Sequence, residues 1–134
     1  AALAAAAAAV ARVGLAARAG AIAGGLTTKE LRLMELARAL AGRPRLLLLD
    51  EPLAGLGGGE VEAFLSLIRE LARDGITIVV IEHTMQAMVR LAERLLVLDH
   101  GRLIAAGPPG AVTRDERVIE AYLGRKWAAL DARG

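Results

Sequence analysis

Four consecutive leucines, Leu46–Leu49, run directly into two carboxylates, Asp50 and Glu51. Four leucines leave no polar face, which predicts burial on both sides, in a central strand of a parallel sheet or in a buried helical turn. Because Pro44 and Pro52 leave too little length for a helix, we predict a strand that ends at Asp50. Open α/β sheets bind ligands at the carboxyl ends of such strands, although capping of a turn by Asp50 explains the acid equally well.

The segments around this strand predict alternating helices and strands. β-Branched residues over 76–83 indicate a second buried strand, and residues 94–107 predict a hairpin that turns at His100–Gly101. Apolar periodicity and helix-breaking residues predict helices at 1–19, 27–42 (with a capping box at Thr27 and Glu30), 59–75, 85–92 and, as a short last helix, 118–123. Strand, helix, strand, helix, strand is typical of a parallel α/β fold.

Composition excludes several classes of protein. A chain of 134 residues and 14.0 kDa is one domain or a piece of a larger one, and with one Trp, one Tyr and one Phe its core must be aliphatic. The net charge of +2 comes from interleaved charges without a basic run, so no nucleic-acid partner is predicted. The absence of cysteine excludes disulfides and thiolate metal sites. The alanine-rich start is too short for a membrane span and lacks the basic region of a signal peptide, and a first residue other than Met suggests a start inside a longer protein.

The two predicted buried strands bring charged residues to one edge of the sheet. The first ends in Asp50 and Glu51, and the second ends in Glu82 and His83. One carboxylate can hold Mg²⁺, a second can orient a water, and an imidazole can contact a transferred phosphate. The combination therefore suits metal-assisted phosphate chemistry, although a single histidine such as His83 is more often structural than catalytic.

Three sequence stretches resemble motifs of the ATP-binding cassette (ABC) ATPases. "RLLLLDEP" resembles their Walker B motif, "IEH" resembles their switch histidine, and "LTTKELRLMELARAL" occupies the place of their signature helix, in the same order and with fitting spacing. The tail "GRLIAAGPPGAVTRDERVIEAYLG" is similar to the end of the ATP-binding subunits of branched-chain amino acid importers. From about Val10 to Gly124, the chain thus resembles the carboxyl-terminal half of such a subunit.

The resemblance implies an α/β fold of the P-loop NTPase (RecA-like) type with a parallel sheet. Residues 1–43 would be the end of the helical subdomain with a degenerate signature motif, and residues 44–134 the carboxyl-terminal part of the nucleotide-binding core. The implied function is ATP hydrolysis that drives import of branched-chain amino acids, with ATP and Mg²⁺ as cofactors. The implied partners are a second nucleotide-binding subunit and transmembrane permease subunits, at the cytoplasmic face of the plasma (inner) membrane.

The resemblance also implies a role for individual residues. Asp50 would be the Mg²⁺-side aspartate, acting through a water, and Glu51 the general base that polarises the attacking water. His83 would hold the γ-phosphate. The signature segment would contact the nucleotide of the partner subunit through Thr27, in place of the signature serine, with Thr28 and Lys29 beside it.

Two departures from the family pattern affect the dimer site. The family signature is roughly LSGGQ, whereas Leu26–Glu30 contains no glycine, so that the side chains of Thr28 and Lys29 would crowd a phosphate. Lys29 could instead offer a positive charge, and the capping box is an equally good structural explanation of the segment. Gly57 stands where the family has aspartate or asparagine, which puts communication between the two sites of a dimer in doubt.

The third departure is the missing phosphate-binding loop. The pattern GxxxxGK[ST] requires a lysine directly after glycine, and neither lysine of the chain follows a glycine. Gly20 and Gly25 have the glycine spacing, but Leu26 stands in the lysine position and no strand precedes them. We therefore expect this chain alone to be inactive.

Three alternatives stay open. An ABC ATPase outside transport is disfavoured by the importer-like tail. A phosphoacceptor receiver domain would need a late strand that ends in lysine, and none is predicted. A non-catalytic, truncated interaction module is compatible with the missing phosphate loop.

Overall fold

A computed structural model describes residues 1–131, without the side chains of residues 123 and 125–131. Residue 123 of the predicted last helix and residues 132–134 of the predicted core region thus lie wholly or partly outside the described residues. The described part of the chain forms two compact units, which divide after His83, and each is described by itself. The predicted subdomain boundary after residue 43 falls within the first unit and stays a prediction. Over residues 1–131, no helix has both the length and the apolar character needed to span a bilayer.

The first unit alternates helices and strands. Its elements are α1 (Ala2–Arg12), 3₁₀ turns at Ala16–Arg18 and Ala23–Gly25, α2 (Thr28–Ala41), β1 (Leu46–Asp50), α3 (Gly58–Arg73) and β2 (Thr77–Ile81). Strands β1 and β2 pair in parallel, with Leu46 opposite Thr77 and Asp50 opposite Ile81. The predicted parallel α/β pattern is confirmed for this pair.

The alanine-rich first helix is shorter than predicted: it ends at Arg12 and not at residue 19. Gly14 has a positive φ of 81°, a left-handed conformation that favours glycine. The N–H of Leu15 then donates to the carbonyl of Val10 at 2.9 Å, which is the bond of a Schellman motif. This motif turns the chain out of the helix, and Leu15 is buried after it.

Helices α2 and α3 bury the faces that their periodicity predicts. The side chain of Thr27 accepts the N–H of Glu30 at 3.2 Å, and the carboxylate of Glu30 accepts the N–H of Thr27 at 2.8 Å. The predicted capping box is therefore confirmed. The buried residues are Leu33, Leu36 and Ala37 in α2, and Phe64, Leu65, Ile68 and Leu71 in α3.

The prediction that both strands are buried on both sides is wrong. Alternate residues of a strand point to opposite faces, and only one face of the β1–β2 pair is covered. Leu47 is 4% exposed, whereas its neighbour Leu48 is 69% exposed. In β2, Val79 and Ile81 are exposed on alternate positions too. Within residues 1–131 this second face stays largely open, which a local sequence pattern cannot reveal.

The second unit is built around a hairpin. Its elements are α4 (Met85–Leu91), β3 (Leu95–Asp99), β4 (Arg102–Gly107), α5 (Pro109–Val112) and α6 (Glu116–Asp131). Strands β3 and β4 pair antiparallel, and the predicted turn at His100–Gly101 has positive φ at both residues, 47° and 77°. The third strand thus pairs locally in its own two-stranded sheet. Helix α6 is also longer than the short helix that was predicted.

Candidate functional site

The backbone changes direction sharply at Glu51, directly after β1. The N–H of Glu51 donates to the carbonyl of Ile81 at 2.8 Å and so extends the parallel ladder by one bond. Glu51 has a positive φ of 45°, which is uncommon outside glycine and costs on the order of 1 kcal/mol. Strain of this kind is concentrated at functional sites, where the surrounding structure holds it in place.

The side chains of Glu51 and His83 meet at the carboxyl ends of β1 and β2. The distance from Glu51 Oε1 to His83 Nδ1 is 3.6 Å, which makes an ion pair when the imidazole is protonated. Both side chains are accessible, with exposed fractions of 57% for Glu51 and 72% for His83. Asp50, the last residue of β1, is exposed beside them. Three of the predicted site residues are thus gathered at one sheet edge, as the parallel layout predicts.

Glu82 is a buried acid that forms hydrogen bonds next to both strand ends. Its side chain is only 1% exposed. One carboxylate oxygen accepts the N–H of Leu53 at 2.9 Å, and the other accepts the N–H of His83 at 3.2 Å. The sequence alone places Glu82 at the strand end and does not indicate a role for it. An acid that interrupts a run of β-branched residues is the sequence signal that points to it.

The predicted signature residues form a second group, at the start of α2. The capping box occupies Thr27, but a hydroxyl that accepts one hydrogen bond still has a proton to donate. Glu30 forms an ion pair with Arg18 at 3.0 Å. The pKa of Glu30 lies below its usual range, mainly because its carboxylate accepts the N–H of Thr27, with the charge of Arg18 as a further cause. The negative charge of Glu30 is therefore retained at neutral pH.

The loop that follows Glu51 passes close to this second group. Gly55 has a φ of 79°, and a Cβ atom at this position would lie 3.0 Å from the Cγ2 methyl of Thr28. A larger residue at Gly55 would be strained and would crowd Thr28. Thr28 is thus placed against the acid-bearing loop, whereas Thr27 and Lys29 stand beside it at the exposed helix start.

Gly57 marks the end of this loop and the start of α3. Its N–H donates to the carboxylate of Glu60 at 3.0 Å. Its φ of −77° is open to any residue, so the backbone does not require glycine where the family has aspartate or asparagine.

The donor set at β1 fits the protein's share of a magnesium site. Among the side chains that the structure describes, no group of three or more His, Cys, Asp or Glu could hold a metal ion. Mg²⁺ at nucleotide sites usually takes only one or two carboxylates, with phosphates and waters as the other ligands. Asp50 alone satisfies that requirement. Chemically, the edge therefore offers two exposed carboxylates and an exposed imidazole, groups that can accept a proton or contact a phosphate.

Comparisons with known proteins show which proteins this chain is similar to. A model of the branched-chain amino acid ATP-binding cassette transporter family matches residues 102–128. The high-affinity branched-chain amino acid transport ATP-binding protein BraG of Pseudomonas aeruginosa is 36% identical over 107 residues, 80% of this chain and 44% of BraG. The lipopolysaccharide export system ATP-binding protein LptB of Haemophilus influenzae is 36% identical over 102 residues, 76% of this chain and 42% of LptB.

Solved structures show the same likeness. The ADP conformation of MJ1267, an ATP-binding cassette of an ABC transporter, matches with a TM-score of 0.84 and 29% identity. The match covers 92% of this chain and 50% of MJ1267. The chain thus spans about half the length of the relatives it matches. It has the P-loop NTPase fold of the ABC cassettes, as a fragment of that domain, and its sequence is similar to the carboxyl-terminal region of ABC transporter ATP-binding proteins.

Proposed function

We propose that this chain is the carboxyl-terminal part of an ATP-hydrolysing subunit of an ABC importer for branched-chain amino acids. The observation that carries the proposal is the meeting of Glu51 and His83, 3.6 Å apart, at the ends of two parallel strands. An exposed carboxylate and an exposed imidazole at such an edge suit phosphoryl transfer to water.

Each residue of this edge has a distinct role in the proposal. Bound Mg·ATP supplies a γ-phosphoryl group whose developing charge the cation partly neutralises. Asp50 would hold the Mg²⁺ ion, whose charge would help to neutralise the phosphates. Glu51 accepts a proton from the attacking water, and its left-handed backbone fixes the direction of the carboxylate. His83 donates a hydrogen bond to the γ-phosphate oxygens.

The signature residues act on the nucleotide of a second subunit in this proposal. Thr27 keeps a hydroxyl proton available for a phosphate oxygen, and Lys29, half-exposed on the first turn of α2, adds a positive charge. The neighbouring acid, Glu30, is already paired with Arg18 at 3.0 Å, so the charge of Lys29 is available for a phosphate. Thr28 contributes by its contact with the loop at Gly55. The partners are a second nucleotide-binding subunit and permease subunits at the cytoplasmic face of the membrane.

Two observations bear on the solute. The family model over residues 102–128 favours branched-chain amino acids. The equal identity to LptB, 36%, makes lipopolysaccharide export the second candidate. Reconstitution of the complete subunit with its permease in vesicles separates them, because only the first candidate predicts ATP-dependent uptake of leucine.

Hydrolysis is tested on the complete subunit that contains this chain, by phosphate release with Mg·ATP. We expect turnover that stops when EDTA removes Mg²⁺. ATP binding without phosphate release would support the non-catalytic interaction module and would overturn the proposed activity.

A further inference from the structure

In the loop after β1, the backbone N–H of Leu53 does not donate to an acceptor within the loop. Pro52 lacks an N–H, so the next donor after Glu51 is the N–H of Leu53. Leu53 is 8% exposed, and a buried N–H without a partner costs about 1–3 kcal/mol. The partner it finds lies not in the loop but at the end of the neighbouring strand.

That partner is the buried carboxylate of Glu82. One oxygen holds the N–H of Leu53 at 2.9 Å, and the other holds the N–H of His83 at 3.2 Å. The second oxygen also lies 3.9 Å from His83 Nδ1. One rigid group therefore joins the loop that carries Glu51 to the residue that carries the imidazole, just beyond the last ladder bond between the strands.

We propose that Glu82 is a positioning residue that fixes Glu51 and His83 relative to each other. The inference rests on the proposed phosphoryl transfer for its effect on rate. The ladder ends with the bond from Glu51 to Ile81, and beyond it the two chains diverge. Without Glu82, the backbone N–H groups of Leu53 and His83 lose the acceptor that they share.

A carboxylate suits this task better than an amide. Two N–H donors converge on the two oxygens of Glu82, and an ionised carboxylate accepts at both. Glutamine has the same shape, but its NH₂ group would face one of the two donors. Glu82→Gln therefore removes one anchoring bond with little change of volume, and Glu82→Asp keeps both acceptors but withdraws them by one carbon.

The test compares Glu82→Gln, Glu82→Asp and the exposed control Glu93→Gln in the complete subunit. For Glu82→Gln we expect kcat to fall about 10–100-fold, the size of effect that a small misplacement of reacting groups causes, while KM for Mg·ATP stays unchanged. Hydrogen exchange, read by NMR, should accelerate at the Leu53 and His83 amides and not across the domain. Glu82→Asp should recover part of kcat, and Glu93→Gln should behave as the parent.

Several outcomes would overturn the inference. These are an unchanged kcat in Glu82→Gln, or a loss of kcat that is matched by a general loss of melting temperature and exchange protection. If Glu82→Gln does not fold, Glu82→Asp is judged by the same criteria. If the parent releases no phosphate, the proposed function fails, and exchange at the two amides alone decides whether Glu82 holds both loops together.

Discussion

Strands β1 and β3 have nearly the same sequence and the same ending. Each has five residues, LLLLD in β1 and LLVLD in β3, and each closes on an aspartate. The next residue is not glycine and yet has a positive φ, 45° at Glu51 and 47° at His100. Each ending also places an acid near an imidazole. By local sequence and local backbone, the two regions are almost interchangeable.

The two strand ends differ in the origin of the histidine that lies near the acid. At the end of β3, His100 Nδ1 lies 3.2 Å from the adjacent Asp99, on a turn where the histidine is 91% exposed. At the end of β1, the imidazole of His83 comes from the end of the parallel strand β2, and the buried carboxylate of Glu82 accepts the backbone N–H of His83. The antiparallel hairpin uses its strand end to reverse the chain. In the parallel pair, by contrast, the two strand ends lie side by side, and residues that are distant in sequence come together there.

The largest expected difference between the two regions concerns their acids. In the complete subunit, Glu51→Gln should lower phosphate release about 10²–10⁴-fold while ATP binding persists, because a general base acts on the transition state and little on ground-state binding. The matched change Asp99→Asn should leave turnover unchanged. Steady-state phosphate release and nucleotide titration measure both, and full turnover in Glu51→Gln would remove Glu51 from the role.

The two histidines provide the next comparison. His83→Ala should lower phosphate release about 10²-fold, the usual effect of losing a hydrogen bond to developing charge, whereas His100→Ala should not. Both side chains are exposed, so neither change should lower the melting temperature much. A large loss of thermal stability in His83→Ala, with activity lost only through unfolding, would show that His83 is structural.

The features that could be predicted are those with local signals. The capping box at Thr27 and Glu30 is visible in four residues of sequence, and His100–Gly101 has the composition of a hairpin turn. The end of the first helix has a local signal too, in Gly14, although the alanines around it favour a longer helix. Each of these features depends on neighbours within one or two turns of chain.

The features that could not be predicted depend on distant parts of the chain. The run of leucines predicts a buried Leu48, but its 69% exposure depends on which element covers that face of the sheet. The bond from Leu53 to Glu82 likewise depends on how two loops approach each other after the parallel pairing. Periodicity and composition predict the element to which a residue belongs. They do not predict which residues of another element will contact it.

The smallest expected effect concerns backbone strain, which the two regions share. Asparagine tolerates positive φ better than glutamate, and Asn-Gly is a preferred pair in two-residue hairpin turns. His100→Asn should therefore stabilise the complete subunit by about 0.5 kcal/mol, with turnover unchanged. Glu51→Asn should relieve similar strain and raise stability by a comparable amount, but it removes the carboxylate and should abolish turnover. Denaturant midpoints and phosphate release, measured on both variants, test whether the strain at Glu51 is retained for the sake of the carboxylate. A loss of stability in Glu51→Asn would contradict this, because it would show that the glutamate itself stabilises the turn.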